Sequence, residues 1–100
     1  MPHFDESEVI RLSASPEGRQ KIFPMIVDQY SKALYWKIRS IVLSHDDSDD
    51  VLQNTFLKAW KSLDSFQGKS KFSTWLYRIA INEALDFLRH KKTLALASAD

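Results

Sequence analysis

One hundred residues with 44% apolar side chains suffice for one small domain and exclude a second hydrophobic core. With no cysteine there is no disulfide framework, no apolar run approaches the length of a membrane span, and MPHFDESEV lacks the basic-then-apolar order of a signal peptide, so a cytoplasmic chain with no membrane contact is expected. The net charge of +1 is unevenly spread: Lys69, Lys71, Arg78, Arg89, Lys91 and Lys92 against Glu83 and Asp86 give Gln67 to Lys92 a charge of +4, leaving −3 elsewhere, which marks that end as the candidate for a polyanion.

Phe4 to Ser13 predicts a short amphipathic helix, because Phe4, Val9, Ile10 and Leu12 cluster while Asp5, Glu6 and Glu8 suit its N-terminal turn. Ser15-Pro16-Glu17-Gly18 breaks it. A longer helical segment follows to about Leu43, with Phe23, Ile26, Tyr30, Leu34, Ile38, Ile41 and Val42 at helical spacing. Pro24 interrupts that pattern and predicts either a kink or a restart with Pro24 in the first turn.

Ser44 to Asp50 is the densest acidic cluster in the chain. It lacks the glycine and distal glutamate of a calcium-binding EF-hand loop, and aspartates at a helix start are accounted for by capping and the dipole, so it predicts the beginning of a third helix, from about Asp47 to Leu63, and not a metal site. In that helix Val51, Leu52, Thr55, Phe56, Ala59 and Leu63 share a face. Asp50, Asn54, Leu57 and Lys61 lie opposite, all within about 40° of Asp50, with Gln53 at the border, and form a candidate protein-docking patch.

Asp64 to Ser70 reads as a loop, with Gly68 and two serines as breakers and Phe66 as its anchor in the core. Lys71 to Lys92 reads as one helix from about Ser70 to Lys91. Ser70 or Ser73 can cap its start, and Arg89, Lys91 and Lys92 complement the dipole at its end. At about 100° per residue, Lys71, Thr74, Trp75, Asn82 and Arg89 fall within about 60° of Arg78, with Leu85 as the one apolar intruder. Phe72, Leu76, Ile79, Ala80, Ala84 and Phe87 form the opposite face. A Trp on the wet side in line with arginine, lysine and amide groups is the set that stacks on unpaired bases and reads their edges, and Gln67, Lys69 and Lys71 of the loop could wall a pocket beside it. Thr93 to Asp100 reads as a frayed tail or the start of a linker.

His3, His45 and His90 have no metal-site spacing, two glycines make no phosphate-cradling loop, and no nucleophile elbow occurs. No catalytic residue, metal or cofactor is expected. The residues thus predict an all-α fold, a compact bundle of three to four helices, whose basic stripe serves a general nucleic-acid binder or, if merely solvated, leaves a protein-interaction bundle without DNA contact.

Two segments together resemble one family. Asp49-Asp50-Val51-Leu52-Gln53-Asn54-Thr55-Phe56, with Trp60, is similar to the acidic-D-x-x-Q-x-x-F-x-x-x-W helix of bacterial sigma factors, and Phe72 through Asn82, with Asp86 and Arg89, to their F-x-x-W-L-x-x-I-A-x-N-x-x-x-D-x-x-R segment. The match is to the extracytoplasmic-function class of the sigma-70 superfamily, over about Glu6 to Lys92. The resemblance implies a sigma-factor domain 2-like bundle at residues 1–92, with 93–100 as tail or linker. It implies that the chain is not an enzyme but a transcription initiation domain. RNA polymerase core, through the largest subunit's clamp helices, would bind Asp49, Asp50, Gln53, Asn54 and Leu57. The single-stranded non-template strand of the minus-ten promoter element would be recognised, and its melting aided, by Phe66, Gln67, Gly68, Lys69, Ser70 and Lys71 of the loop and Trp75, Arg78, Asn82 and Arg89 of the helix. The spacing of Asp86 and Arg89 equally suits an intrahelical ion pair. An anti-sigma factor is a further implied partner, and the family's second domain, which reads the minus-thirty-five element, is expected to be missing.

Overall fold

Ser15 opens the helix around which the others pack. In the computed structural model, which describes residues 5–98, α1 spans Ser7–Ser13, α2 Pro16–Val42, α3 His45–Ser62 and α4 Phe72–Ser98, with a 3-10 turn at Leu63–Ser65 and no strand among the described residues. This is the expected all-α bundle. Phe4 lies outside the described residues.

The stretch expected to break the first helix does follow its end, and it is at the same time the start of the next. Ser15 is extended, its hydroxyl accepts the Gly18 N–H at 3.0 Å, and Pro16 takes a first-turn position where no N–H is needed. Only Ala14 and Ser15 separate α1 from α2. Gly18 lets α1 fold back directly, since a Cβ there would lie 1.9 Å from the Leu12 carbonyl oxygen. Pro24 does not restart the helix but lies inside α2, where it has no N–H for the Gln20 carbonyl. Ile22 and Ile26, both fully buried, hold the backbone helical on either side of it.

The buried stripe of α2 is Ile22, Ile26, Leu34, Ile38 and Val42, and Phe23, Tyr30 and Ile41, which share that face, pack against the core half-buried. Leu43 ends α2 in a left-handed turn (φ +70°) and donates its N–H to the Arg39 carbonyl. Ser44 then caps α3, accepting the Asp47 N–H at 3.4 Å, and Asp46 and Asp47 occupy the first turn, where the dipole favours them. Val51, Thr55, Phe56, Ala59 and Leu63 face the core as expected, and the buried Thr55 hydroxyl donates to the Val51 carbonyl at 2.8 Å.

Helix α4 buries Phe72, Leu76, Ala80 and Ala84 against α2 and α3. It does not end near Lys91: Thr93 to Ser98, expected as a tail, continue the helix, because Thr-Leu-Ala-Leu-Ala-Ser contains no breaker and is rich in good helix formers. Arg89, Lys91 and Lys92 are therefore not at a C-terminus, and the dipole argument for them lapses. Lys91 instead reaches the Asp47 carboxylate of α3 at 3.4 Å. At 27 residues α4 is about 40 Å long, against bundle dimensions of 27 and 22 Å across, and Lys91 to Ala97 are all exposed. No described helix is long and apolar enough to cross a membrane.

Candidate nucleic-acid interface

The turn after α3 aims the loop. Leu63 is fully buried, and Phe66, 9% exposed, leaves the turn in extended conformation and enters a cluster of three rings. Its centroid lies 5.4 Å from Phe72 and 5.3 Å from Trp75, and Phe72 and Trp75 are 5.4 Å apart. Such tilted and edge-on contacts are the favourable ones for aromatic pairs. Trp75 was expected on the wet side, but its ring is half-buried against the core: Phe66 folds back over α4 and shields it, an arrangement no helical projection contains.

Beside this cluster is a cavity of about 310 Å³, lined by Ser65, Phe66, Gln67, Lys69, Ser70, Trp75 and Arg78. The structure thus brings together six of the ten candidate DNA-binding residues. Gly68 and Lys71 line a smaller depression on the other side of the loop, with Glu6, Ile10 and Phe72. Asn82 is exposed one turn beyond Arg78 and does not line the cavity. Arg89 is about 16 Å further along the helix than Arg78 and is paired with Asp86, as the spacing of the two suggested. Lys69, Lys71 and Arg78 have no acidic partner among the described residues, so their charge faces solvent uncompensated.

Neither Ser70 nor Ser73 caps α4. The Ser70 hydroxyl donates to the Lys71 carbonyl, and the Ser73 N–H is taken by the carboxylate of Glu6, at 3.0 Å. The same oxygen accepts the Tyr30 hydroxyl at 3.0 Å. Burial alone would raise the pKa of Glu6, but the hydrogen bonds from Ser73 and Tyr30 outweigh it and hold the carboxyl below its ordinary value. Tyr30 is pushed well above the usual phenol range, by burial first and then by its bond to Glu6, and so remains a neutral donor.

On α3 the five candidate docking residues Asp49, Asp50, Gln53, Asn54 and Leu57 are all exposed, and the Asp49 carboxylate lies 3.3 Å from His45 Nε2. Gln53 and Leu57 also form one rim of an open groove of about 640 Å³ between α2 and α3, completed by Gln20, Phe23, Pro24, Val27, Phe56 and Trp60. The Phe23 ring lies 6.2 Å from Phe56 and 5.2 Å from Trp60. Sequence reasoning gave Phe23 to the core and left Trp60 out of the patch. The available signal was Trp60 four residues after Phe56 and three after Leu57, more apolar surface than the core-facing stripe uses. No group of three His, Cys, Asp or Glu side chains among the described residues is placed to hold a metal ion.

The family pattern "Sigma-70 region 2" matches residues 26–93. The chain is 42% identical to the ECF RNA polymerase sigma-E factor of Haemophilus influenzae over 72 residues, covering 72% of this chain and 38% of that protein. Among solved structures, the NMR complex of an engineered region 2 of sigmaE with GTAAAA superposes with a TM-score of 0.76 at 39% identity, over 90% of both chains. CnrH in complex with the cytosolic domain of CnrY superposes with a TM-score of 0.69 at 33% identity, over 82% of this chain and 51% of that one. The chain spans less than half the length of the curated relatives it matches.

Proposed function

The chain belongs to the sigma-70 family, in its extracytoplasmic-function class, and from that premise we propose that it docks on RNA polymerase core through α3 and holds unstacked non-template bases of the minus-ten element between the loop and α4. One observation carries the reading: a single cavity with an aromatic wall, an amide and two uncompensated cations, the combination that binds a base by its face, its edge and its phosphate together. The sigmaE complex with GTAAAA supports it, since that region 2 shares this fold at 39% identity.

The role is non-catalytic. Capture of a base on an aromatic ring contributes about 1–3 kcal/mol, comparable to the cost of unstacking it, so one or two captured bases drive local opening of the duplex. Residues 1–92 carry both sites in this reading, which places the chain in the cytoplasm with its polymerase and promoter. The α3 patch and the apolar groove beside it favour protein docking, and the CnrH complex with CnrY supports an anti-sigma factor as a second protein partner.

The test is to titrate labelled single-stranded oligonucleotides, each base varied at each position, and the matching duplexes. The expected result is a preference for one single-stranded sequence of at least about tenfold, with weaker duplex binding. Equal affinity for every sequence and both strand states would leave only a basic helix. Co-elution with polymerase core tests the other half.

A further inference from the structure

We propose that α1, which precedes the residues 26–93 matched by the family pattern, positions the base-reading loop, with Glu6 and Ile10 as its two positioning residues. The inference rests on the reading of the loop–α4 cavity as a base site. It is carried by two contacts on the side of the loop facing away from that cavity. Glu6 reaches across from the start of α1 and gives its carboxylate to the Ser73 N–H, in the first turn of α4, and to the Tyr30 hydroxyl of α2. It therefore fixes where α4 begins relative to α2, two residues before Trp75. It also occupies the helix N-terminus, which a phosphate would otherwise favour, and leaves phosphate to Lys69 and Lys71.

Ile10 supports the loop itself. Gly68 has φ +73°, and a Cβ on it would lie 2.7 Å from Ile10 Cδ1, so the isoleucine is packed directly against the one loop residue whose backbone requires glycine. Ile10 is nevertheless 48% exposed, and its side chain contributes little to the core. Its neighbours are instead the loop residues Gly68, Ser70 and Lys71, together with Phe66 and Phe72, around one small depression. Phe66 and Ser70 belong to both depressions, so a shift on the α1 side moves a wall of the cavity on the other.

The experiment compares the 100-residue chain with Glu6→Ala, Glu6→Gln, Ile10→Ala and the milder Ile10→Val, reading affinity for preferred and single-base-changed oligonucleotides, its salt dependence, and amide hydrogen exchange across residues 66–73. Glu6→Ala and Ile10→Ala should each lower the ratio between preferred and changed base by about fivefold or more, and speed exchange in the loop, while the salt slope set by the lysines stays as in wild type. Glu6→Gln, which keeps the accepting oxygen, should restore most of the discrimination. If the alanine variants fail to fold, Glu6→Gln and Ile10→Val decide: near-wild-type selectivity for the former with a measurable loss for the latter is expected. Wild-type selectivity in every folded variant, or equal losses for all bases, overturns the positioning role and leaves the base site standing. A wild-type chain without selectivity overturns both.

Discussion

The cavity between the loop and α4 and the groove between α2 and α3 sit on one small bundle and are lined in opposite ways. The first mixes rings with Gln67, Lys69 and Arg78, while the second is walled by Phe23, Pro24, Val27, Phe56, Leu57 and Trp60 with no charged side chain. A ligand that is a stack of flat rings on a charged backbone suits the first. Apolar side chains from a protein partner suit the second, and the acids and amides of α3 beside it supply a polar rim. A domain this small thereby carries two surfaces suited to chemically different partners, with no lining residue in common.

Each surface has one tryptophan, which makes the sharpest test a swap. Trp75→Ala should weaken single-strand capture by about 1–3 kcal/mol and duplex binding less, with polymerase binding nearly unchanged. Trp60→Ala should do the reverse, weakening polymerase binding by about 2 kcal/mol if the groove is part of that interface. Thermal unfolding must be followed for both, since Trp75 also packs on Phe66 and Phe72. Equal losses towards both partners from either variant would break the distinction between the surfaces.

Next in size is the polar rim. Combining Asp50→Ala, Gln53→Ala and Leu57→Ala should weaken binding to polymerase core, measured by competition, with stability within about 0.5 kcal/mol of wild type for each exposed position. Unchanged affinity in the triple variant would remove α3 from the interface.

The parts of this molecule legible in the sequence are those set by helical periodicity. The buried face of α3 and the exposure of Asp50, Gln53, Asn54 and Leu57 follow from a 100° rotation per residue, and the core face of α4 likewise. What could not be read depended on contacts from afar. Trp75 looked exposed because a projection of one helix cannot include Phe66 folding over it. The cap of α4 was sought in Ser70 and Ser73, but it comes from Glu6, 67 residues earlier than Ser73. Ser15 and Pro16 were taken for a breaker because the residues that end one helix also begin the next, and only Gly18 against Leu12 shows that almost no linker intervenes. Of the candidate site, the loop and α4 residues that line one cavity could be grouped in advance, whereas the groove behind Leu57 could not, because it needs α2 and α3 in place together.

Across the loop and α4, in and beside the polar cavity, the roles should separate further. Gln67→Ala and Asn82→Ala should change which base is preferred, by about 1 kcal/mol each, because amides read edges. Lys71→Gln should instead weaken all sequences alike and lower the salt slope by about 0.7, one phosphate's share for a single strand. A base-specific effect from Lys71→Gln would place a lysine among the groups reading base edges and erase that division.

The smallest expected effect concerns Glu6, and its sign can be fixed. The folded protein holds this carboxyl below the ordinary value of 4.5, so the folded state binds fewer protons than the unfolded state on descending through that region. Its contribution to stability is therefore complete above about pH 4.5 and is lost as the pH falls through the lower folded value. Tyr30 sets the opposite limit: its phenol is held above the ordinary 10, so its share is present below pH 10 and fades as the pH rises beyond it. Glu6→Gln keeps an oxygen for both hydrogen bonds and removes only the charge at the start of α4, which is worth about 0.3–1 kcal/mol. Urea unfolding of wild type and Glu6→Gln should then show that margin in full at pH 6 and a shrinking one as the pH falls below 4.5. Other carboxylates titrate in both chains and cancel in the difference. A margin that stays constant on acidification would mean that the shape of the side chain, and not its charge, holds α1 to α4.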